Sequence, residues 1–172
     1  PSAVDPAAGY PAFDELVERY ERRIYNLALR VTGNPADAMD AVQSTFLKAY
    51  RNLHRFDTTR PLFSWIYRIG MNESLDSVQE RRRFVALDPE WASGAASPEQ
   101  ESVAREAGRE VQEALLELRP EQRAVIVLRH FHGLSYQEMA EVVGVPAKTV
   151  KSRLFEARSA LRERLVGHGF GR

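Results

Sequence analysis

The sequence contains no cysteine, so it can form neither a disulfide framework nor a thiolate metal site. No apolar run approaches the ~18 residues that a membrane-spanning helix needs, and no charged-then-apolar signal peptide opens the chain. The formal net charge is zero, which excludes a uniformly basic or acidic protein. These absences predict a cytoplasmic chain that builds its core from ordinary hydrophobic residues.

The motifs of common enzyme sites are also missing. There is no glycine-rich phosphate loop, no HExxH pair and no nucleophile motif. The histidines, His54, His130, His132 and His168, have no acidic or cysteine neighbour at a spacing typical of metal ligation. We therefore predict no catalysis, no metal and no cofactor, and an enzyme would require a ligand pocket that the sequence does not indicate.

The zero net charge hides an asymmetry along the chain. Residues 1–83 carry 12 basic and 11 acidic side chains, residues 84–118 carry 2 and 8, and residues 119–172 carry 10 and 5. A basic end beside an acidic middle is typical of a nucleic-acid module attached through a segment that avoids DNA. A solvated acidic spacer is the simpler alternative for the middle segment.

Hydrophobic spacing predicts an all-α fold of two small bundles. Three amphipathic helices are expected over residues 11–32, 35–56 and 62–83, the second capped by Asn34 with Pro35 at its first position. Residues 84–97 lack a sustained period and predict a flexible acidic linker. Helices restarting at Ser97-Pro98 and at Pro120 then lead into the last part of the chain. We therefore predict domains at 10–83 and 98–166.

The segment from Leu134 to Leu165 predicts a helix-turn-helix. Ser135 and Glu138 form a capping box, Gly144 can end the first helix in a left-handed conformation, and Pro146 presets the start of the second helix. Small and apolar residues on both helices can pack together. Donors suited to phosphates and base edges remain outward on the second helix, namely Lys148, Thr149, Lys151, Ser152 and Arg153. A helical hairpin with a solvated basic face is the alternative.

The third predicted helix begins with an unusual aromatic cluster. Phe63, Trp65 and Tyr67 lie within five residues, beside Arg60 and Arg68. A small core needs one or two such rings, so the remainder could stack on unpaired bases while the arginines hold phosphates. Asn72 could read a base through its two-way amide. Aromatic packing alone is the competing interpretation.

These motifs resemble those of the extracytoplasmic-function sigma factors, the promoter-specificity subunits of bacterial RNA polymerase. The resemblance covers about Phe13 to Leu165 and depends on ADAMDAVQSTFLKAYRNLHRF and FSWIYRIGMN in the first half. In the second half it depends on LRPEQRAVIVLRHFHGLSYQEMAEVVGVPAKTVKSRLFEARSALRERL. Two motif sets in the right order make it more specific than a helix-turn-helix alone.

The resemblance implies roles for particular residues. Asp40, Gln43 and Leu47 match the helix that docks on core RNA polymerase. Asn72, with Arg60, Phe63 and Arg68, matches the region that holds the melted strand of the minus-ten element, where the loop 54–60 helps to form a pocket for a flipped base. Trp65 is expected to support that helix. Lys148, Thr149, Lys151, Ser152 and Arg153 match the recognition helix at the minus-thirty-five element.

The resemblance also implies partners. These are core RNA polymerase, promoter DNA as duplex and as melted strand, and an anti-sigma protein that holds the chain inactive. Met39 and Ser44 stand where the family usually has acidic residues, so we expect weaker or altered polymerase docking. Residues 74–79 also depart from the family's usual run, which affects the base preference of the first half.

The sequence leaves two other functions open. The chain could be a decoy that binds an anti-sigma protein and never touches DNA, although the intact Lys148, Lys151 and Arg153 argue against this. It could instead be a stand-alone repressor or activator, whose first domain would then mediate dimerisation. Promoter initiation with core polymerase distinguishes a sigma factor from both.

Overall fold

The structure is a computed structural model that describes residues 13–88 and 103–169. Every regular element in these two ranges is helical, as the sequence predicts. The helices are α1 (Phe13–Thr32), α2 (Pro35–Asn52), α3 (Leu62–Leu87), α4 (Val103–Leu116), α5 (Pro120–Ile126), α6 (Tyr136–Val143) and α7 (Ala147–Gly167). A 3-10 turn (Leu53–Arg55) follows α2, and a π turn (Val127–Phe131) continues α5.

The predicted break between the first two helices is confirmed. Gly33 ends α1 with φ at +69°, a left-handed conformation that glycine adopts without strain. The Asn34 side chain then accepts a hydrogen bond from the Asp37 amide at 3.1 Å, and Pro35 occupies the first helical position. The chain therefore reverses between α1 and α2 as its local sequence dictates.

Two helix ends differ from the sequence prediction. The second helix was expected to continue to about Phe56, but its α-helical part ends at Asn52 and a 3-10 turn follows. The third helix was expected to end near Arg83, but it continues to Leu87. Neither glycine nor proline interrupts this stretch until Asp88, which precedes Pro89, and the residue before a proline disfavours helix. The predicted restart at Ser97-Pro98 lies outside the described residues.

The predicted helix-turn-helix is present, with the predicted local geometry. Ser135 accepts from the Glu138 amide at 3.2 Å, while the Glu138 carboxylate accepts from the Ser135 amide at 2.7 Å. Gly144 ends α6 with φ at +71°. Met139, Val150 and Leu154 are buried between the two helices. This packing holds α7 at a defined angle to α6.

One hydrophobic core extends through both halves of the chain. It joins Leu27 and Tyr67 of the first bundle to Leu115, Ile126 and Leu128 of the second. Helix α3 packs along α6, and the end of α1 packs on α4 and the π turn. The two predicted bundles therefore pack directly against each other. None of the helices in the described ranges is both long and apolar enough to cross a membrane.

Candidate nucleic-acid interface

A small pocket lies beside the start of α3. It encloses about 230 Å³ and is lined by Arg55, Phe56, Asp57, Arg60, Pro61, Ser64, Trp65, Arg68 and Glu141. Three arginines and the ring of Trp65 share this space, so it combines the groups that hold phosphates with a surface on which a base can stack. The pocket lies where the sequence predicts capture of a melted strand.

The loop before α3 gives this pocket its shape. The Asp57 carboxylate accepts hydrogen bonds from the Thr59 hydroxyl at 2.6 Å and from the Thr59 amide at 3.0 Å. These bonds, together with the Arg60 charge, lower the pKa of Asp57, so this side chain stays ionised near neutrality. The Phe56 and Trp65 rings pack at 4.9 Å, which anchors the loop to α3.

Ser64 stands out among the residues of the pocket. Its side chain is buried, with 5% of the residue exposed, and its Oγ has no hydrogen-bond partner. It is the one such buried side-chain oxygen or nitrogen in the part of the chain that the structure describes. Buried polar groups are nearly always paired. An unpaired hydroxyl at the wall of a basic pocket is therefore suited to a ligand.

The structure brings together some of the residues predicted for the minus-ten strand and separates others. Arg60 and Arg68 line the pocket, and Asn72 is exposed one turn further along the same face of α3. Phe63 lies on a different face, with its ring 4.2 Å from that of Tyr67. Sequence analysis did not select Ser64, whereas Arg55 belongs to the loop 54–60 that it expected at the pocket. The spacing of Ser64 four residues before Arg68 is the signal that could have found it.

The predicted reading face of α7 is available to solvent. Lys148, Thr149, Lys151 and Ser152 are exposed, and Arg153 is half-buried. Thr149, Ser152 and Arg153 share a shallow groove with Arg119, which precedes α5. Sequence analysis missed Arg119 because its proximity to α7 arises only from the packing of α5 on that helix.

Phe155 was also missed. It is 73% exposed and lies one turn beyond Lys151 and Ser152 on α7. An exposed ring at this position can make apolar contact with a thymine methyl group in a major groove. Its spacing from Lys148 and Lys151 was sufficient to place it on the reading face.

The residues predicted to dock on polymerase share an exposed face of α2. Asp40 and Gln43 are exposed, and Leu47 is 51% exposed. Asp40 and Ser44 also line a groove between α2 and α3 that contains Glu73, Asp76 and Glu80. Arg81 crosses this groove to Asp37 at 2.9 Å. The groove is acidic overall and is therefore suited to a basic protein surface.

A buried arginine joins the two halves of the chain. Arg123 of α5 is 2% exposed, and its Nη1 donates to the Val31 carbonyl oxygen of α1 at 2.5 Å. Its Nε and Nη2 donate to carbonyl oxygens of Leu115, Leu116 and Leu118 at 2.7 to 3.2 Å. Burial lowers the pKa of Arg123 to about 10, which leaves the guanidinium charged near neutrality. It satisfies orphan carbonyls at the ends of α1 and α4 together.

A second set of contacts surrounds a cleft of about 860 Å³ between the halves. The Tyr67 hydroxyl and His132 Nδ1 are 3.0 Å apart, Arg30 Nη1 donates to Gln112 Oε1 at 3.2 Å, and Arg30 lies over the Phe131 ring at 4.4 Å. Burial raises the pKa of Tyr67 to about 12. Burial lowers the pKa of His132, and the positive charges of Arg23 and Arg30 lower it further. Both residues are therefore held in their neutral forms.

No group of three or more histidine or acidic side chains in the described ranges is arranged to hold a metal ion. The two candidate DNA-binding surfaces consist mainly of arginine, lysine, amide, hydroxyl and aromatic groups. Such groups bind nucleic acid and protein surfaces.

Comparisons with known proteins assign both halves. Residues 16–84 match the family model for Sigma-70 region 2, and residues 108–161 match that for Sigma-70 region 4. The ECF RNA polymerase sigma factor SigW of Bacillus subtilis is 34% identical over 166 residues, covering 90% of this chain and 89% of its own. The ECF RNA polymerase sigma-E factor of Escherichia coli is 34% identical over 162 residues, covering 87% of this chain and 84% of its own.

Two solved structures share the fold. CnrH, in complex with the cytosolic domain of CnrY, aligns with a TM-score of 0.69 at 30% identity, covering 90% of this chain and 88% of its own. The sigma factor RpoE of Bartonella quintana, in complex with the anti-sigma factor NepR, aligns with a TM-score of 0.69 at 26% identity, covering 93% and 98%. The similarity therefore includes both halves of the chain.

Proposed function

This chain belongs to the extracytoplasmic-function sigma factors, the promoter-specificity subunits of bacterial RNA polymerase, and we propose that its two halves divide promoter recognition between melted and duplex DNA. As in its relatives, the chain is a specificity subunit and the polymerase performs the catalysis. Residues 10–83 bind polymerase and the minus-ten element, and residues 98–166 bind the minus-thirty-five element. The observation that carries this assignment is the coexistence of a basic strand pocket at α3 and an exposed reading face on α7.

Recognition of the minus-thirty-five element falls to α7. The exposed Lys148, Lys151 and Ser152 lie at helical spacing, so their side chains enter one major groove together. Arg153 and Arg119 line the neighbouring groove of the protein, where they reach phosphates and position α7. Phe155 adds an apolar contact on the same face.

Capture of the minus-ten strand falls to the pocket at the start of α3. Arg60 and Arg68 hold the strand's phosphates, the exposed Asn72 reads a flipped base, and Trp65 supports the pocket wall. Phe63 is not among the residues that line this pocket: its ring packs on Tyr67 of the same helix and borders the cleft between the halves.

Docking on core polymerase falls to the exposed face of α2. Asp40 and Gln43 supply polar contacts and Leu47 supplies an apolar anchor at the protein surface. The acidic groove between α2 and α3 adds complementarity to a basic partner. Glu73 is paired with Lys48, so Asp76 and Glu80 contribute the negative charge from α3 that offsets the lack of an acidic side chain at Ser44.

An anti-sigma protein is the expected inhibitor. The two structural neighbours were solved with CnrY and with the anti-sigma factor NepR, and this chain shares their fold over about nine-tenths of its length. The chain acts with RNA polymerase in the cytoplasm, as its relatives do. Its association with the nucleoid follows from polymerase binding.

Transcription in vitro tests the proposal. Core polymerase with and without the chain is supplied with a library of genomic fragments, and transcript start sites are mapped. We expect start sites that depend on the chain and share two sequence elements upstream. Anti-sigma binding without any such start site identifies a decoy, and tight operator binding without polymerase identifies a stand-alone regulator.

A further inference from the structure

We propose that the cleft between the two halves binds a nucleoside di- or triphosphate. Arg23 and Arg30 of α1 hold its phosphates, and the rings of Phe63 and Phe131 lie beside its base. None of these four side chains lines the pocket at the start of α3 or the groove beside the reading face of α7. The ligand is therefore a small molecule that binds apart from promoter DNA.

The cleft has the size of a small-molecule site. It encloses about 860 Å³, whereas the pocket at the start of α3 encloses about 230 Å³. Small-molecule sites in proteins are clefts of roughly 300–1,000 Å³. Its lining residues come from α1, α3, α4 and the π turn, so a ligand inside it is contacted from several sides.

The charge of the cleft is positive. Arg23 and Arg30 line it, and none of the described residues around it is an aspartate or a glutamate. The two arginines are seven residues apart on α1, which places them on one face of the helix, about 10.5 Å apart along its axis. Two long side chains with this spacing can bind different phosphates of one polyphosphate. The cleft therefore favours a ligand that carries more than one negative charge.

Both arginines keep their charge available. Arg30 Nη1 donates to Gln112 Oε1 at 3.2 Å, and its guanidinium lies over the Phe131 ring at 4.4 Å, but neither partner is charged. Arg23 is exposed, and within the described ranges no hydrogen bond or ion pair joins its side chain to another residue. A polyphosphate supplies the negative charge that these two guanidinium groups lack.

Aromatic rings line the same cleft and favour a base. Phe131 is 40% exposed, and Phe63 contributes a second ring from α3. The Phe63 ring lies 4.2 Å from the ring of Tyr67, whose hydroxyl is 3.0 Å from His132 Nδ1, so Phe63 is held in place. Bases stack on aromatic faces of this kind. Arginines and rings together suit a nucleotide, whereas an inorganic polyphosphate would use the arginines alone.

Calorimetric titration of the full chain tests the class of ligand. The probes are ATP, GTP, adenosine, sodium tripolyphosphate and a hexaglutamate peptide, in buffer with EDTA so that no divalent cation contributes. We expect ATP or GTP to bind at least about 10-fold more tightly than adenosine or tripolyphosphate, because each of these lacks either the phosphates or the stacking base. Tripolyphosphate or hexaglutamate that binds as tightly as the nucleotides would overturn the inference. Failure of both nucleotides to bind at millimolar concentration would also overturn it.

Substitution of Arg23 tests the position of the phosphates. We expect Arg23→Gln to weaken nucleotide binding about 5- to 20-fold, because one charge-assisted contact is lost from an exposed side chain. Arg22→Gln is the matched control, since Arg22 is the neighbouring residue of α1 but lines a separate groove with Tyr25 and Met39. Both positions are exposed, so neither substitution should unfold the chain, and circular dichroism checks this. Equal losses in the two variants would show general attraction to α1 and refute the site.

The pocket at the start of α3 also combines arginines with a ring, so the nucleotide must be located directly. Photolabelling with an azido-substituted ATP, followed by peptide mapping, should modify α1 or the π turn. Label confined to residues 55–68, or a larger loss of affinity in Arg60→Gln than in Arg23→Gln, would assign the nucleotide to the other pocket and refute the inference. These measurements use no polymerase, so their failure leaves the proposed function intact.

Discussion

The Arg123 guanidinium of α5 donates a 2.5 Å hydrogen bond to the carbonyl oxygen of Val31 in the last turn of α1. The bond joins residues 92 positions apart, one in each predicted bundle. The other Arg123 donors bind the carbonyl oxygens of Leu115, Leu116 and Leu118. One side chain therefore holds the end of α4 in place and also joins the two halves.

We expect Arg123→Met to lower the free energy of unfolding by about 2–4 kcal/mol, because several buried carbonyls lose their donor at once. Urea denaturation followed by circular dichroism measures the change. Arg119→Met is the control, since Arg119 is exposed four residues earlier and should change stability by less than about 0.5 kcal/mol. Equal stability of the two variants would show that Arg123 does not hold the halves together.

We expect the stability of the protein to fall as the pH drops below about 6.5, and His132 to account for part of the fall. The pKa of His132 is lowered in the folded state by burial and by Arg23 and Arg30. Below its ordinary pKa of 6.5 the unfolded chain therefore binds a proton that the folded chain resists, which favours unfolding. Above that pH both states hold a neutral ring and the effect disappears.

The urea midpoint of His132→Asn, measured between pH 7.5 and 5.5, checks this dependence. The variant should lose less stability over the interval than the unmodified chain. His54→Asn is the matched control, because His54 is exposed on the 3-10 turn. A pH profile of His132→Asn that parallels the original would assign the acid sensitivity to other groups, such as His130, whose pKa is also lowered, mainly by burial.

We expect Asn72→Ala to impair promoter opening more than polymerase association. Asn72 is exposed on α3, where its amide can bind a flipped base, whereas Gln43 and Leu47 lie on another helix, α2. Permanganate footprinting measures opening, and co-elution with core polymerase measures association. Asn26→Ala, the same substitution at an exposed position of α1, serves as the control. Equal loss of opening and association would contradict the assigned role.

We expect Arg153→Ala to weaken binding at the minus-thirty-five element by about 1–3 kcal/mol if Arg153 makes a bidentate base contact. Arg153 is half-buried beside Arg119, so a phosphate contact is the alternative, and its loss would weaken all sequences alike. Competition between consensus and mutated elements on the polymerase complex distinguishes the two. Arg162→Ala, exposed further along α7, should leave both affinity and preference unchanged.

Local patterns predicted the helices and their caps because these depend on neighbouring residues. Asn34, Ser135 and Gly144 act within one helical turn, so their roles could be read from spacing alone. The error at Arg83 has a local cause too. The run to Leu87 contains no residue that stops a helix, although its weak periodicity indicates a linker.

Contacts between distant residues could not be read in the same way. No local pattern indicates that Arg123 would be buried against Val31, since arginine is rarely buried and its partners here are backbone carbonyls. Glu141 appears in the sequence as an ordinary exposed acid of α6, and Ser64 lies one turn before Arg68, but no local pattern places Ser64 and Glu141 together. Their proximity arises only when α6 packs on α3.

The sequence by itself determined the all-α class, the helix-turn-helix, the family and the exposed donors of α7, because helical period and end signals act over a few residues. The tertiary structure decided that the two halves close on each other. It therefore also decided where the residues predicted to contact the strand lie. Asn72 is exposed, Arg68 lines a pocket that Glu141 of α6 shares, and Phe63 packs on Tyr67. That outcome depends on the packing of surfaces far apart in the chain, for which no short-range pattern exists.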